Sequence, residues 1–261
     1  MLRTNKILID VGGYHGESAR AALDPRFGFD IVYCFEPVAS CHSFISTHLV
    51  NPRLRLIQAG LLDRNAQLPV YQAGTVGGSI FADAPELGGP TTPETCNFLR
   101  ASDFFENNIP VGSSVWMKLN CEGSECDILV DLIKSGQSQK LTEVLIDLDA
   151  KKMPSASSHL ERFQELLPSA EFSYHFPEEV QYSMVTNFGA IRNWLLVTGA
   201  MKPGISAFLQ SLTYQAVCAT DPMVNGYYKM RLLRFLRLRP AAMVPTKPGS
   251  LVGRRAAPQL S

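Results

Sequence analysis

Two acids and a cluster of glycines stand where a small molecule can be held. The run Ile7 to Gly16 reads Ile-Leu-Ile-Asp-Val-Gly-Gly-Tyr-His-Gly, an apolar stretch that reaches Asp10 and passes through Gly12 and Gly16 into Glu17-Ser18-Ala19-Arg20. An apolar strand, a glycine-rich turn and an opening helix are how a parallel α/β sheet presents a ligand at its edge. The glycines let the backbone come close, and a helix N-terminus offers free amides. Neither phosphate-binding pattern is complete, because the dinucleotide fingerprint G-x-G-x-x-G meets Tyr14 and the terminal Gly-Lys-Ser/Thr of a P-loop is absent. An acid at a strand end repels a pyrophosphate and suits a ligand that carries an ammonium group. Glu36 follows Gly16 by 20 residues and closes a second apolar run, where a carboxylate can accept the hydrogens of both ribose hydroxyls. S-adenosylmethionine has the ammonium and the ribose that this pair of acids asks for.

The elements that must position these groups alternate along the chain. Strands are expected at Ile7–Val11, Ile31–Phe35, Leu54–Ala59, Val115–Leu119, Glu143–Leu148, Glu171–Phe176 and Asn193–Thr198, with a shorter one at Gln67–Tyr71. Helices are expected from Glu17 to Leu23, from a Ser40 cap to about Val50, from Ser102 through Glu106, from Ser124 to Lys134, and from Ser157 or Ser158 to Leu167 with Glu161 completing a capping box. Gly74 to Pro93 reads as a long loop. This order predicts an α/β protein with a mostly parallel sheet.

Composition bounds the function without choosing it. At 261 residues the chain fits one large α/β domain with extensions, and no apolar run approaches the roughly 18 residues of a membrane span. Six cysteines form no C-x-x-C pair and too sparse a set for a disulfide framework. Met1 to Lys6 runs directly into the first strand with no signal-peptide cleavage pattern, so the expected location is the cytoplasm. The zero net charge hides an asymmetry: Gly226 to Ser261 holds eight of the 24 basic residues and none of the 24 acids. We divide the chain into a main domain over 1–200, a helical C-terminal extension over 201–239 and a basic disordered tail over 240–261. Tyr227 to Arg239 sets Arg231, Arg234 and Arg237 in a basic band that can dock on protein or lie on an anionic membrane. Charge apart, no RNA-binding signature is present, and no nucleic acid is expected.

Five segments in order resemble the FkbM-type S-adenosylmethionine-dependent methyltransferases. They are Ile-Asp-Val-Gly-Gly-Tyr-His-Gly ending at Gly16, Tyr33 to Pro37, Gln58 to Asp63, Ser102-Asp103-Phe104, and Met117 to Glu125. The resemblance spans about Ile7 to Leu196 and implies a Rossmann-like class I methyltransferase fold, with a seven-stranded sheet between two helical layers. It also implies O-methylation of a hydroxyl on a sugar, glycolipid or natural-product acceptor. By the same resemblance Asp10, Gly12, Tyr14 and Gly16 line the methionine end of the cofactor, Glu36 holds the ribose, and Gln58 meets the adenine. Asn120 stands at a cofactor-side position where the family more often has Asp.

Methyl transfer to an alcohol needs a base, because the hydroxyl proton must leave as the bond forms. Glu122 and Glu125 are the first candidates, with Lys118 to tune or orient them, and Asp149 follows. Asn120 in place of an acid leads us to expect no metal. The Gly77-Gly78-Ser79 segment is expected to close over the acceptor. Two alternatives remain open at this point: a cofactor-binding protein without turnover, and an RNA methyltransferase using the basic tail.

Overall fold

The computed structural model describes residues 5–85, 92–177 and 187–200. Its strands are β1 (Lys6–Val11), β2 (Ile31–Phe35), β3 (Leu54–Ile57), β4 (Gly60–Leu62), β5 (Ala66–Val70), β6 (Glu94–Arg100), β7 (Ser114–Leu119), β8 (Leu141–Ile146) and β9 (Ser173–His175). The helices are α1 (Glu17–Ala22), α2 (Ala39–His48), α3 (Ala101–Asn108), α4 (Glu125–Lys134), α5 (Ser157–Leu166) and α6 (Asn187–Val197). The C-terminal extension and tail lie outside the described residues.

Strands that are apolar on both faces must be covered on both faces. Six of them form one sheet in the order β3-β2-β1-β7-β8-β9, with every neighbouring pair parallel. Ile7, Ile9, Met117, Leu119 and Ile146 face a layer that includes Phe105, Ile128, Leu129 and Phe163 from α3, α4 and α5. Leu8, Val32, Trp116 and Leu145 face Ala19, Ala22, Ile191 and Trp194 from α1 and α6. Fully burying one large apolar side chain contributes about 1.5–3 kcal/mol, so these two layers outweigh any single loop contact in fixing the sheet. The arrangement is a Rossmann-like, doubly wound α/β fold, and its order reverses between β1 and β7.

Several expectations need correction. The sheet has six strands among the described residues, and Asn193–Thr198, expected as a strand, falls in and just past α6. Trp-Leu-Leu-Val is as good a buried helix as a buried strand, and periodicity cannot separate them over so short a run. The stop signal does: Gly199 has φ +73°, and the amides of Gly199 and Ala200 bond back to the carbonyls of Leu196 and Leu195, a Schellman ending.

The third strand stops at Ile57 rather than Ala59, and the chain leaves the main sheet there. It builds a second sheet in the order β4-β6-β5, with β4 parallel and β5 antiparallel to β6, which takes up the segment expected as Gln67–Tyr71. The capping box at Ser158 and Glu161 does not form. A 3-10 turn over Pro154–Ala156 runs straight into α5, and Ser157 Oγ donates to the Pro154 carbonyl instead. Similarly, α2 begins at Ala39 without a Ser40 cap, and α3 begins at Ala101, where the Ser102 amide donates to Asp131 of α4 at 2.7 Å.

No helix among the described residues is long and apolar enough to cross a membrane. Cys34, Cys41, Cys96, Cys121 and Cys126 are free thiols.

Candidate functional site

A cavity opens at the C-terminal ends of β1, β2, β7 and β8, where the strand order reverses. Its polar wall includes Gly12, Glu36, Lys118, Asn120, Glu122 and Asp147, and Val70, Ile80 and Phe98 from the second sheet and its loop form an apolar wall. Ligands of open α/β sheets bind at this switch point, because the loops after neighbouring strands diverge to opposite faces there.

The glycine loop is shaped by its neighbours more than by a ligand. Gly12 has φ +81°, and a Cβ on it would lie 1.8 Å from the Asn120 carbonyl oxygen, so this position presses the loop onto the end of β7. The amides of Gly12 and Gly13 both donate to the Phe35 carbonyl, at 3.2 and 2.9 Å, and the Gly16 amide donates to the Gly13 carbonyl at 2.7 Å. Tyr14 donates its amide to Glu36 Oε2 at 2.6 Å. Four of the loop's amides are thus committed within the protein. Tyr14 lines the cavity; Gly16 does not.

Asp10 does not face the cavity, contrary to the expectation from sequence. It is fully buried, with Oδ1 3.1 Å from Lys118 Nζ and Oδ2 accepting the Ala19 amide at 3.1 Å. Lys118 also donates to the carbonyls of Gly12 and Val11, at 2.8 and 3.3 Å. Lys118 thus gives two hydrogen bonds to the loop and its charge to Asp10, and the pair staples the glycine loop and α1 to β7. Burial pushes the Asp10 carboxyl up while Lys118 pulls it down. Burial also works against the Lys118 charge, but Asp10 holds its proton on, above the ordinary lysine value. Lys118 touches the cavity edge with its charge already matched.

Glu36 does face the cavity from the end of β2. Its Oε2 accepts from Tyr14 and its Oε1 from Val38 at 2.9 Å. Burial pushes its pKa up to about 7, and the two amides oppose that rise.

Past β7 the two glutamates separate. Glu125 is fully buried and outside the cavity lining, and it accepts from the amides of Cys121 at 2.9 Å and Gly123 at 3.0 and 3.1 Å. Its carboxylate braces the turn and faces no acceptor; burial raises its pKa to about 7. Glu122 lines the cavity from a left-handed backbone position, φ +52°. Burial, then Asp149 and Glu125, push its pKa up to about 8. Asp149, whose charge contributes to that rise, is 1% exposed, outside the lining and ion-paired with Lys152.

Gln58 is exposed and away from the cavity, because the chain turns out of the main sheet before reaching it. Gly60 and Phe98 occupy the region where it was expected, with the Phe98 ring lying across Gly60. Asn120 lines the cavity and donates to Asp147 Oδ2 at 3.4 Å. As the first polar residue after β8, Asp147 holds the position that Asn120 holds after β7.

The loop over the cavity is latched. Ser79 Oγ donates to the Glu122 carbonyl at 2.6 Å and accepts from the Phe81 amide at 3.1 Å, and Asp83 accepts from the Ser155 amide and hydroxyl at 2.8 and 2.5 Å. Thr75, Val76 and Gly78 line the cavity beneath this latch. Among the described residues no group of three His, Cys, Asp or Glu side chains is arranged to hold a metal ion.

No protein-family model matches the chain, and no curated protein is similar to it. Among solved structures it is similar to the crystal structure of methyltransferase FkbM from Methylobacillus flagellatus KT, at 15% identity and a TM-score of 0.36 over 62% of this chain. The matched part spans 39% of that protein.

Proposed function

We propose that this chain is an S-adenosylmethionine-dependent methyltransferase acting on a hydroxyl of a sugar, glycolipid or natural-product acceptor in the cytoplasm. One observation carries the reading. The cavity is lined by Glu17, Glu36, Glu122 and Asp147, while Lys118, the one lysine among the described lining residues, is paired with Asp10. An acid-rich cavity beside a glycine loop with four of its amides already bonded suits a cationic nucleoside better than a phosphate. The ordered motifs supply the cofactor's identity, and the free thiols agree with a reducing compartment.

The donor set fits that cofactor. Each oxygen of Glu36 already accepts one amide and keeps a second lone pair for a ribose hydroxyl. Asn120 and Asp147 offer an amide and a carboxylate to the amino-acid end. When bound, the cofactor supplies a sulfonium methyl whose leaving group needs no further activation.

The chain's part is to orient the acceptor oxygen, exclude water and take one proton. Glu122 is the cavity acid whose proton affinity is set for that exchange near neutral pH. The Ser79 and Asp83 contacts keep the covering loop shut over it. Calorimetry with S-adenosylmethionine and its demethylated product tests the binding half, and absence of heat for both defeats the proposal. A methyl-transfer assay over glycan and natural-product panels tests the rest: binding without any turnover would favour a cofactor-binding protein that performs no chemistry.

A further inference from the structure

We propose, resting on the reading of Glu122 as the acid that takes the acceptor's proton, that Glu125 is its positioning residue and that the covering loop completes the task. The turn that carries Glu122 at the cavity wall keeps its shape only while the loop is shut, so closing over the acceptor and setting the base are one motion.

Left-handed backbone marks the turn. Among the described residues only Tyr14, Gln72 and Glu122 are non-glycine residues with positive φ. Tyr14 and Glu122 line the cavity, and Gln72 lies at the root of the covering loop, where Tyr71 and Ser79 pair. The unfavourable backbone is thus gathered round one site. A side chain persists in this region only where its surroundings over-determine it, and Glu122 is held from two sides.

From inside, the Glu125 carboxylate takes the amides of the residues before and after Glu122, Cys121 at 2.9 Å and Gly123 at 3.0 and 3.1 Å. Glu125 is wholly buried at the start of α4, whose Ile128 and Leu129 pack in the core, so this brace is fixed to the body of the fold. From outside, Ser79 Oγ of the loop donates to the Glu122 carbonyl at 2.6 Å. Gly123 has φ +112°, and a Cβ on it would lie 2.7 Å from the Phe81 ring and 2.8 Å from Met153 Sδ. The bare glycine is therefore a seat for Phe81, whose ring also meets His159 of α5 edge-on, with centroids 5.8 Å apart. Asp83, exposed, ties the loop to Ser155; its hydrogen bonds go there and not to the turn.

The two holds differ in permanence. The inner one belongs to the core, and the outer one leaves with the loop, because Ser79 and Phe81 are two residues apart and withdraw together. With the loop open Glu122 rests on one brace, and its carboxyl has no fixed place. When the loop returns over a bound acceptor, the turn is clamped and the base is set as the site is covered.

Hydrogen exchange of the whole chain tests the coupling with no ligand present. Asp83→Ala removes an exposed latch and leaves the turn's own bonds in place, so the variant folds. Exchange at the Gly123 amide, which Glu125 holds, should quicken by about fivefold along with that at Phe81, while the Ala19 amide on Asp10 is unmoved. Glu125→Gln tests the positioning. Calorimetric affinity for S-adenosylmethionine should stay within about twofold, while kcat for methyl release to whichever glycan or natural product turns over falls by about tenfold or more. Ser79→Ala should shift kcat the same way by less, and it carries this arm if Glu125→Gln does not fold.

Gly123 exchange unmoved in Asp83→Ala overturns the coupling of loop and turn. Full kcat in the folded variants overturns the positioning, and so does a loss of affinity as large as the loss of kcat, because Glu125 would then be holding the cofactor wall. Absent heat with S-adenosylmethionine in the unaltered chain strikes the methyltransferase reading instead, and the exchange result then decides the coupling alone.

Discussion

Asp10 sits at the end of β1 and Glu122 just past the end of the adjacent β7, and the two acids have opposite surroundings. Asp10 meets an ammonium and a helix amide, fully buried, and its charge is consumed in holding the glycine loop to the sheet. Glu122 lies in the field of Asp149 and Glu125, opens on the cavity, and has its pKa raised to about 8. Both stand in motif positions that invite a ligand-contacting reading. What separates them is the partner: an acid given a cation becomes scaffold, and an acid given another acid keeps a movable proton.

The largest effect should come from breaking the scaffold side. Lys118→Met strands Asp10 in the interior without a counter-charge and frees two loop carbonyls, and removing one partner of a buried pair costs about 3–5 kcal/mol. Urea unfolding should show a loss in that range, with cofactor binding weakened because the glycine loop is no longer held. A loss below about 1 kcal/mol, the size of an exposed pair, would place the pair in water and sink the contrast with Glu122.

Glu122→Gln should do the reverse. Loss of a general base lowers kcat by on the order of a hundredfold or more. Stability should hold or rise, since a buried group that resists ionising has been removed. The sign follows from linkage. Glu122 at about 8, and Glu36 and Glu125 at about 7, lie above the ordinary value of 4.5. The native state therefore binds more protons than the unfolded chain between about pH 4.5 and 8. Stability from these groups is full below the lower limit and is lost as pH rises through the upper one. Urea midpoints of the cofactor-free chain should fall across that window, and Glu122→Gln should flatten the part between about pH 7 and 8. An unchanged slope would mean that Glu122 titrates as an ordinary surface acid.

Most of the fold was readable because buried parallel strands and their helices announce themselves as apolar runs with stops. The failures fall where the run is short or the chain changes sheets. Asn193–Thr198 carried no period long enough to exclude a strand, and nothing before Gly60 marks the exit of the chain after Ile57. In the site, Gly12, Tyr14, Glu36, Lys118, Asn120 and Glu122 reach the cavity, while Asp10, Gly16, Gln58, Glu125 and Asp149 do not. Residue type and spacing locate a carboxylate at a strand end, but the direction of its oxygens depends on amides and cations brought from elsewhere. The lysine that claims Asp10 lies 108 positions away in sequence, and no local pattern shows that contact.

A smaller effect should separate the latch from the acid it clamps. Ser79→Ala removes one donor to the Glu122 carbonyl and one acceptor for the Phe81 amide, and net hydrogen bonds of this kind are worth about 0.5–1.5 kcal/mol each. Stability should fall by about 1 kcal/mol, with faster hydrogen exchange at the Phe81 amide and at Gly123. If exchange is unaltered while kcat collapses, the hydroxyl touches substrate and the loop is not held by it.

The smallest effect tests where the cofactor lies. Gln58 was expected against the adenine, yet it is exposed and outside the cavity, and its strand has ended one residue earlier. An exposed residue away from such features changes stability by no more than about 0.5 kcal/mol when substituted, so Gln58→Ala should be silent in unfolding and in calorimetric titration with S-adenosylmethionine. Phe98→Ala gives the matching control, because that ring lies across Gly60 on the apolar wall and its loss should weaken binding. A tenfold loss in Gln58→Ala with no change in Phe98→Ala would move the cofactor out of this cavity. The acids that line it would then need another ligand, and Glu122 would lose its acceptor along with it.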